Sequence, residues 1–143
     1  MFSCYGLHEW AMLYKDNEKK QTTLKVRLPQ EKVDEVVEGT PLRCTHYDAF
    51  RFFEKSAQPL NKIQLTRSTQ IDREQPACIH ATMDLFKYAY TIFPLCSADL
   101  LRDTLKLALR ARFIDMRASP YDVSAFAGCE EPIRVETEEG KAH

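Results

Sequence analysis

Two stretches of the chain set a thiol, an imidazole and a carboxylate close together. "CTHYDAFRFF" (44–53) carries Cys44, His46 and Asp48; "CIHATMDLFKYAY" (78–90) carries Cys78, His80 and Asp84. Each then runs Asp-x-Phe, a basic residue and an aromatic. Such residues can do three things. An imidazole and a carboxylate make an acid–base pair, the carboxylate fixing the ring's tautomer. The same groups ligate a divalent cation in an open three-ligand set. Or they satisfy one another inside a core and do no chemistry. Cys44 and Cys78 fit all three, because a buried thiol is also a small hydrophobe.

Spacing limits what each stretch can do. His80 and Asp84 are four apart on a predicted helix, so they share a face, with Lys87 one turn beyond. His46 and Asp48 are two apart and share a face only in extended backbone. The metal reading therefore takes His46, His80 and Asp84 as ligands of a non-haem divalent cation. The metal-free reading uses the same histidines with Asp48, Asp84 and Asp115 as catalytic carboxylates, and needs no cofactor.

Asp115 earns its place by position. It ends an apolar helical stretch, where the helix dipole disfavours a carboxylate, so it needs a partner such as Arg117 or a histidine. Glu74 precedes Pro76 and the second histidine segment, in a loop feeding a helix N-terminus. It joins Lys87, Arg117 and Tyr121 as a candidate substrate contact. His8 and Glu9 are neighbours whose side chains are expected to diverge, with Trp10 in the core. Arg102, Lys106 and Arg110 recur every four residues; Asp99 and Asp103 dilute the stripe, which reads as a solvated face.

"TLKVRL" (23–28) alternates Leu24, Val26 and Leu28 and reads as a half-buried strand; "PIRVET" (132–137) reads as another. "VDEVVEG" and "PLRCTHY" offer one or two more. Helical character begins at Asp48. It strengthens through "ACIHATMDLFKYAYTIF" and, behind the N-cap Ser97, through "ADLLRDTLKLALRARF", whose core stripe runs along Leu101, Leu105, Ala108 and Ile114. "SPYD" (119–122) reads as a helix start: Ser119 caps, Pro120 follows, and Asp122 completes a capping box. The sum is an α+β fold, a small mostly antiparallel sheet packed against several helices in a single domain, 1–143.

The 143 residues are 44% hydrophobic and 29% charged, with net charge −1 and pI near 6.4. That excludes a global basic field for nucleic acid or anionic lipid. Five cysteines at irregular spacing (Cys4, Cys44, Cys78, Cys96, Cys129) point to a reducing, cytoplasmic setting. No apolar run reaches membrane-spanning length, and no signal peptide is evident.

"GLHEWAM", "CTHYDAFRFF", "EQPACIHATMDLFKYAY", "DMRASPYD" and "VETEEGKA" follow one another in an order that resembles a bacterial, mainly actinobacterial family labelled 3-methyladenine DNA glycosylase. The resemblance covers nearly the whole chain. Ala77 departs from it, standing where the family pattern has glycine. Family members are longer at both ends, so this chain resembles a central to C-terminal part. The resemblance implies hydrolysis of an N-glycosidic bond, with DNA or a small molecule as substrate. A carboxylate would activate water, and an aromatic (Tyr47, Phe50, Phe53, Tyr88 or Tyr121) would stack on the base. A metal-dependent enzyme and a non-enzymatic binding domain remain the alternatives.

Overall fold

The computed structural model describes residue 4, residues 7–16 and residues 23–142. The architecture is helical: α1 (His8–Met12), α2 (Gln30–Glu38), α3 (Tyr47–Phe50), α4 (Gln70–Arg73), α5 (Ile79–Ile92), α6 (Ala98–Ala118) and α7 (Glu138–Lys141), with 3-10 turns at Gln58–Leu60 and Arg67–Thr69.

The expected sheet is absent among the described residues, which corrects the α+β reading. One antiparallel bridge, Val26 to Tyr121, is all that pairs. Arg27 N–H donates to Pro120 O at 2.8 Å and Asp122 N–H to Lys25 O at 2.7 Å, and no ladder continues from them. Leu24, Val26 and Leu28 do pack on the core. Their two-residue alternation is satisfied by an extended segment lying on helices. The segment 132–137 behaves likewise: Ile133 N–H reaches Arg117 O, and the next bonds close turns. "VDEVV" belongs to α2, whose Val33 and Val37 stack one turn apart and are fully buried.

The longest helices were legible from their ends. Ser97 Oγ accepts from the Leu100 N–H at 3.1 Å and starts α6. α6 runs past the expected end, through Asp115, to Ala118. Ser119 is its C-cap, not the N-cap of a new helix. Its hydroxyl donates to Met116 O and accepts from the Tyr121 N–H. Asp122 instead accepts from the Ser124 N–H and hydroxyl in a local turn.

α5 and α6 pair as an antiparallel hairpin across the short connection 93–97. Ala89, Ala108 and Ala111 are the apolar residues buried on it, while Leu105 and Ile114 of the expected stripe are exposed. The main core lies elsewhere, built on Trp10, Val33, Val37, Leu42, Phe50, Phe53 and Tyr121. Trp10 ties α1 to the end of α6, its indole N–H donating to Ala118 O at 2.9 Å.

Candidate functional site

Three of the chain's four histidines meet where α1, the N-terminus of α3, α5 and the last turns of α6 converge. Each arrives by a different route. Leu7, in left-handed backbone (φ 39°), leads into α1, whose first residue is His8. That conformation is costly for a branched side chain and persists only where surroundings enforce it. His46 is the N-cap of α3. The buried amide of Asn61 holds its approach, accepting from Cys44 N–H and donating to Cys44 O. His80 sits in the first turn of α5, behind Pro76.

The rings form a row. His8 meets His80 edge-on, with centroids 4.3 Å apart; His80 stacks on His46 at 5.4 Å. His8 Nε2 and His80 Nε2 stand 3.4 Å apart. Asp115 Oδ1 lies 3.8 Å from His8 Nδ1 and Glu9 Oε1 3.3 Å from His8 Nε2. One ligand atom each from His8, His80 and Asp115 falls within 4.8 Å of the other two. All three line a cavity of about 410 Å³ with Glu9, Leu7, Trp10, Cys4 and Cys44 among its walls.

A second triad, His46 with Glu74 and Asp84, also meets that distance test. Its groups are already committed. His46 Nε2–H donates to Asp84 Oδ2 at 2.7 Å, Lys87 holds Asp84 Oδ1 at 3.2 Å, and Gln70 donates to Glu74 Oε1 at 2.6 Å. His46 is 3% exposed, and its Nδ1 has no hydrogen-bond partner among the described residues. A cation on Nε2 would turn that orphan lone pair into an orphan N–H, a worse group to bury. The hydrogen-bonded dyad therefore fits this triad better than a cation does.

The structure thus stacks His46 on His80 but commits His46 Nε2 to Asp84, and it is His8, not His46, whose Nε2 faces that of His80. His80 and Asp84 do share α5, yet each pairs with a different histidine. Asp48 lies apart from the cluster, beside Arg51 at 3.1 Å and Arg67 at 3.4 Å. Asp115 finds Arg112 (2.6 Å) and His8; Arg117 donates instead to Glu131 O at 2.8 Å, though it lines the cavity. Tyr121 is buried in the core against Val26, and burial pushes its phenol up to about 12. His8 and Glu9 do not diverge. Successive helix positions differ by about 100°, and the glutamate is long enough to fold back.

Electrostatics keep the row of imidazoles uncharged at its centre. Burial, then the charges of His8 and His46, hold His80 down at about 4. Burial pushes Asp115 up, partly offset by His8 and Arg112. For Glu9 burial is the largest influence and raises the carboxyl. The hydrogen bond from His8 and the charges of His8, Arg112 and His80 outweigh it and leave Glu9 below its ordinary value. Asp84 follows the same pattern, with His46 and Lys87 outweighing burial.

Comparison with protein-family models, curated proteins and solved structures returns no match for this chain. No helix among the described residues is long and apolar enough to cross a membrane.

Proposed function

We propose that the protein is a metal-dependent hydrolase, with one divalent cation held by His8, His80 and Asp115 at the wall of the cavity. One observation carries this. Four ligands around zinc at Zn–N distances of 2.0–2.1 Å place neighbouring nitrogens about 3.3 Å apart. The Nε2 atoms of His8 and His80 are 3.4 Å apart, and the half-buried Asp115 offers a carboxylate oxygen within 4.8 Å of a ring nitrogen of each. Two imidazoles and one carboxylate leave open positions for water and substrate. The cation would supply a hydroxide at neutral pH and polarise the bond to be broken. Glu9, beside His8, is placed to take the proton from that water.

The cavity favours a small substrate. Its walls are largely apolar (Leu7, Trp10, Ile79 and Ile114), with Arg117 and Lys141 for a polar or anionic end. N-glycosidic hydrolysis, which the family resemblance implies, is one reaction such a centre can run. The expected stacking aromatics do not line this cavity: among its lining residues only Trp10 is aromatic. A free small molecule suits the cavity better than a flipped base in DNA.

Zinc titration with a chromophoric competitor tests the reading. Near-stoichiometric tight binding is expected, weakened about 100-fold or more in His8→Ala and in Asp115→Asn, a size set by what even indirect changes at metal sites cost. Equal affinity in wild type and both variants would contradict it.

A further inference from the structure

An apolar stripe on α6 is left bare by the described fold. Leu100, Leu107 and Ile114 recur every seven residues, two helical turns, and each is about half exposed. α5 adds Leu85, Tyr88 and Ile92, three and then four residues apart and equally bare. The two helices pack chiefly on each other, burying Ala89, Ala108 and Ala111. Successive residues turn by about 100°, and both stripes are displaced from those alanines in the same rotational sense. In an antiparallel pair that sets them on one side of the hairpin. Their exposed side chains amount to about 600 Å² of apolar surface. That is at the top of what a typical monomer leaves bare, and most of the about 800 Å² per partner of a standard interface.

The α6 stripe reads the same from either end. Turned about Leu107, an antiparallel copy of α6 sets Leu107 on Leu107 and Leu100 on Ile114. The charges beside the stripe match under the same operation. Asp103 lies four residues before Leu107 and Arg110 three after it, on the same flank of the helix. Asp103 of each copy therefore faces Arg110 of the other. Within one chain these two stand about 10 Å apart along the helix axis and do not meet. Asp103 instead sits beside the exposed Arg102 at 3.4 Å.

We propose that a second copy of this chain covers the stripe, the two α6 helices packing antiparallel about a two-fold axis at Leu107. A two-fold dimer needs a self-complementary patch, residue i on residue j and j on i. An unrelated partner would give no reason for the match of Asp103 with Arg110. Ile114 also lines the cavity, so Leu100 of the partner subunit borders it. The interface uses none of His8, His80 and Asp115 and stands whether or not a cation binds there.

Sedimentation velocity of the purified chain over a range of concentrations tests this. A dimer is expected at about 50 µM, since interfaces near standard size bind at micromolar affinity or tighter. Leu107→Glu brings two carboxylates together on the axis and should weaken the dimer about 100-fold or more. Its helical circular dichroism and denaturation midpoint should match wild type, because Leu107 is half exposed in the single chain. Asp103→Arg sets arginine against arginine and should weaken the dimer about 10-fold; adding Arg110→Asp should restore it to within about threefold. A role confined to one chain would give no such rescue. His8→Ala should dimerise as wild type does. A wild-type chain that stays monomeric would overturn the proposal and leave the stripe to a different protein. So would a dimer that Leu107→Glu leaves intact, or a charge exchange that fails to restore what Asp103→Arg removed.

Discussion

His8 Nε2 and His80 Nε2 face each other at 3.4 Å although 72 residues separate them in sequence. Neither ring points at a carboxylate as closely as His46 points at Asp84. The two triads therefore predict opposite behaviour. Asp84→Asn removes the charged acceptor of a buried imidazole and should cost about 1–3 kcal/mol of stability. Zinc affinity should stay at the wild-type level. Chemical denaturation beside zinc titration checks both; a loss of affinity as large as that of His8→Ala would put the cation on the wrong triad.

His80 should give the metal-free protein a pH-dependent stability. Its folded pKa near 4 lies below the ordinary 6.5. Between those values the unfolded chain binds a proton that the folded chain refuses. Stability is thus greatest above pH 6.5 and falls as pH drops from 6.5 to 4, by about 3 kcal/mol at most. Glu9 and Asp84, depressed carboxyls, add their losses lower, as pH falls below about 4.5. Denaturant midpoints measured across this range with chelator present should flatten between pH 6.5 and 4.5 in His80→Gln. An unchanged slope in the variant would refute the assignment.

Asn61 is 3% exposed and spends its amide on Cys44 N–H, Cys44 O and Ile63 O. Asn61→Ala leaves these buried backbone groups without partners, at a cost of about 2–3 kcal/mol. The same change should loosen the 44–46 segment and speed alkylation of Cys44 in the metal-free protein. A variant as stable as wild type would show that water replaces the amide.

Arg27 clamps the C-terminal segment. Its guanidinium donates to Ser119 O (3.0 Å) and Glu136 Oε1 (2.9 Å), and it lies over the Trp10 ring at 5.8 Å. Arg27→Ala should destabilise by about 2–3 kcal/mol, more than an exposed ion pair would, because Glu136 and the Ser119 carbonyl lose a largely buried partner. Arg27→Lys should recover only part, since an ammonium cannot serve both acceptors in one plane. Full recovery by lysine would reduce the clamp to simple charge.

How much was legible follows from where each signal resides. α5 and α6 announced themselves through Pro76, Pro94 and Ser97, which act locally. The sheet was misread because Leu24, Val26 and Leu28 alternate as a strand should, and alternation cannot say whether a strand or a helix lies opposite. "SPYD" carried a start signal that the continuing α6 overrode. In the site, His80, His46, Asp84, Glu74 and Asp115 were visible by residue type. Their pairing was not, because it crosses 28 to 107 positions. His8 was discounted on the rule that neighbours diverge. The available clue was Cys4, a third cysteine just ahead of a histidine, hidden by its longer spacing.

The measurement closest to the central claim is a crystal structure of the zinc-loaded protein, with an anomalous difference map collected at the zinc edge. The account predicts a peak bonded to His8 Nε2, His80 Nε2 and an Asp115 oxygen. A map with no density there, or with its zinc among His46, Glu74 and Asp84, would contradict it.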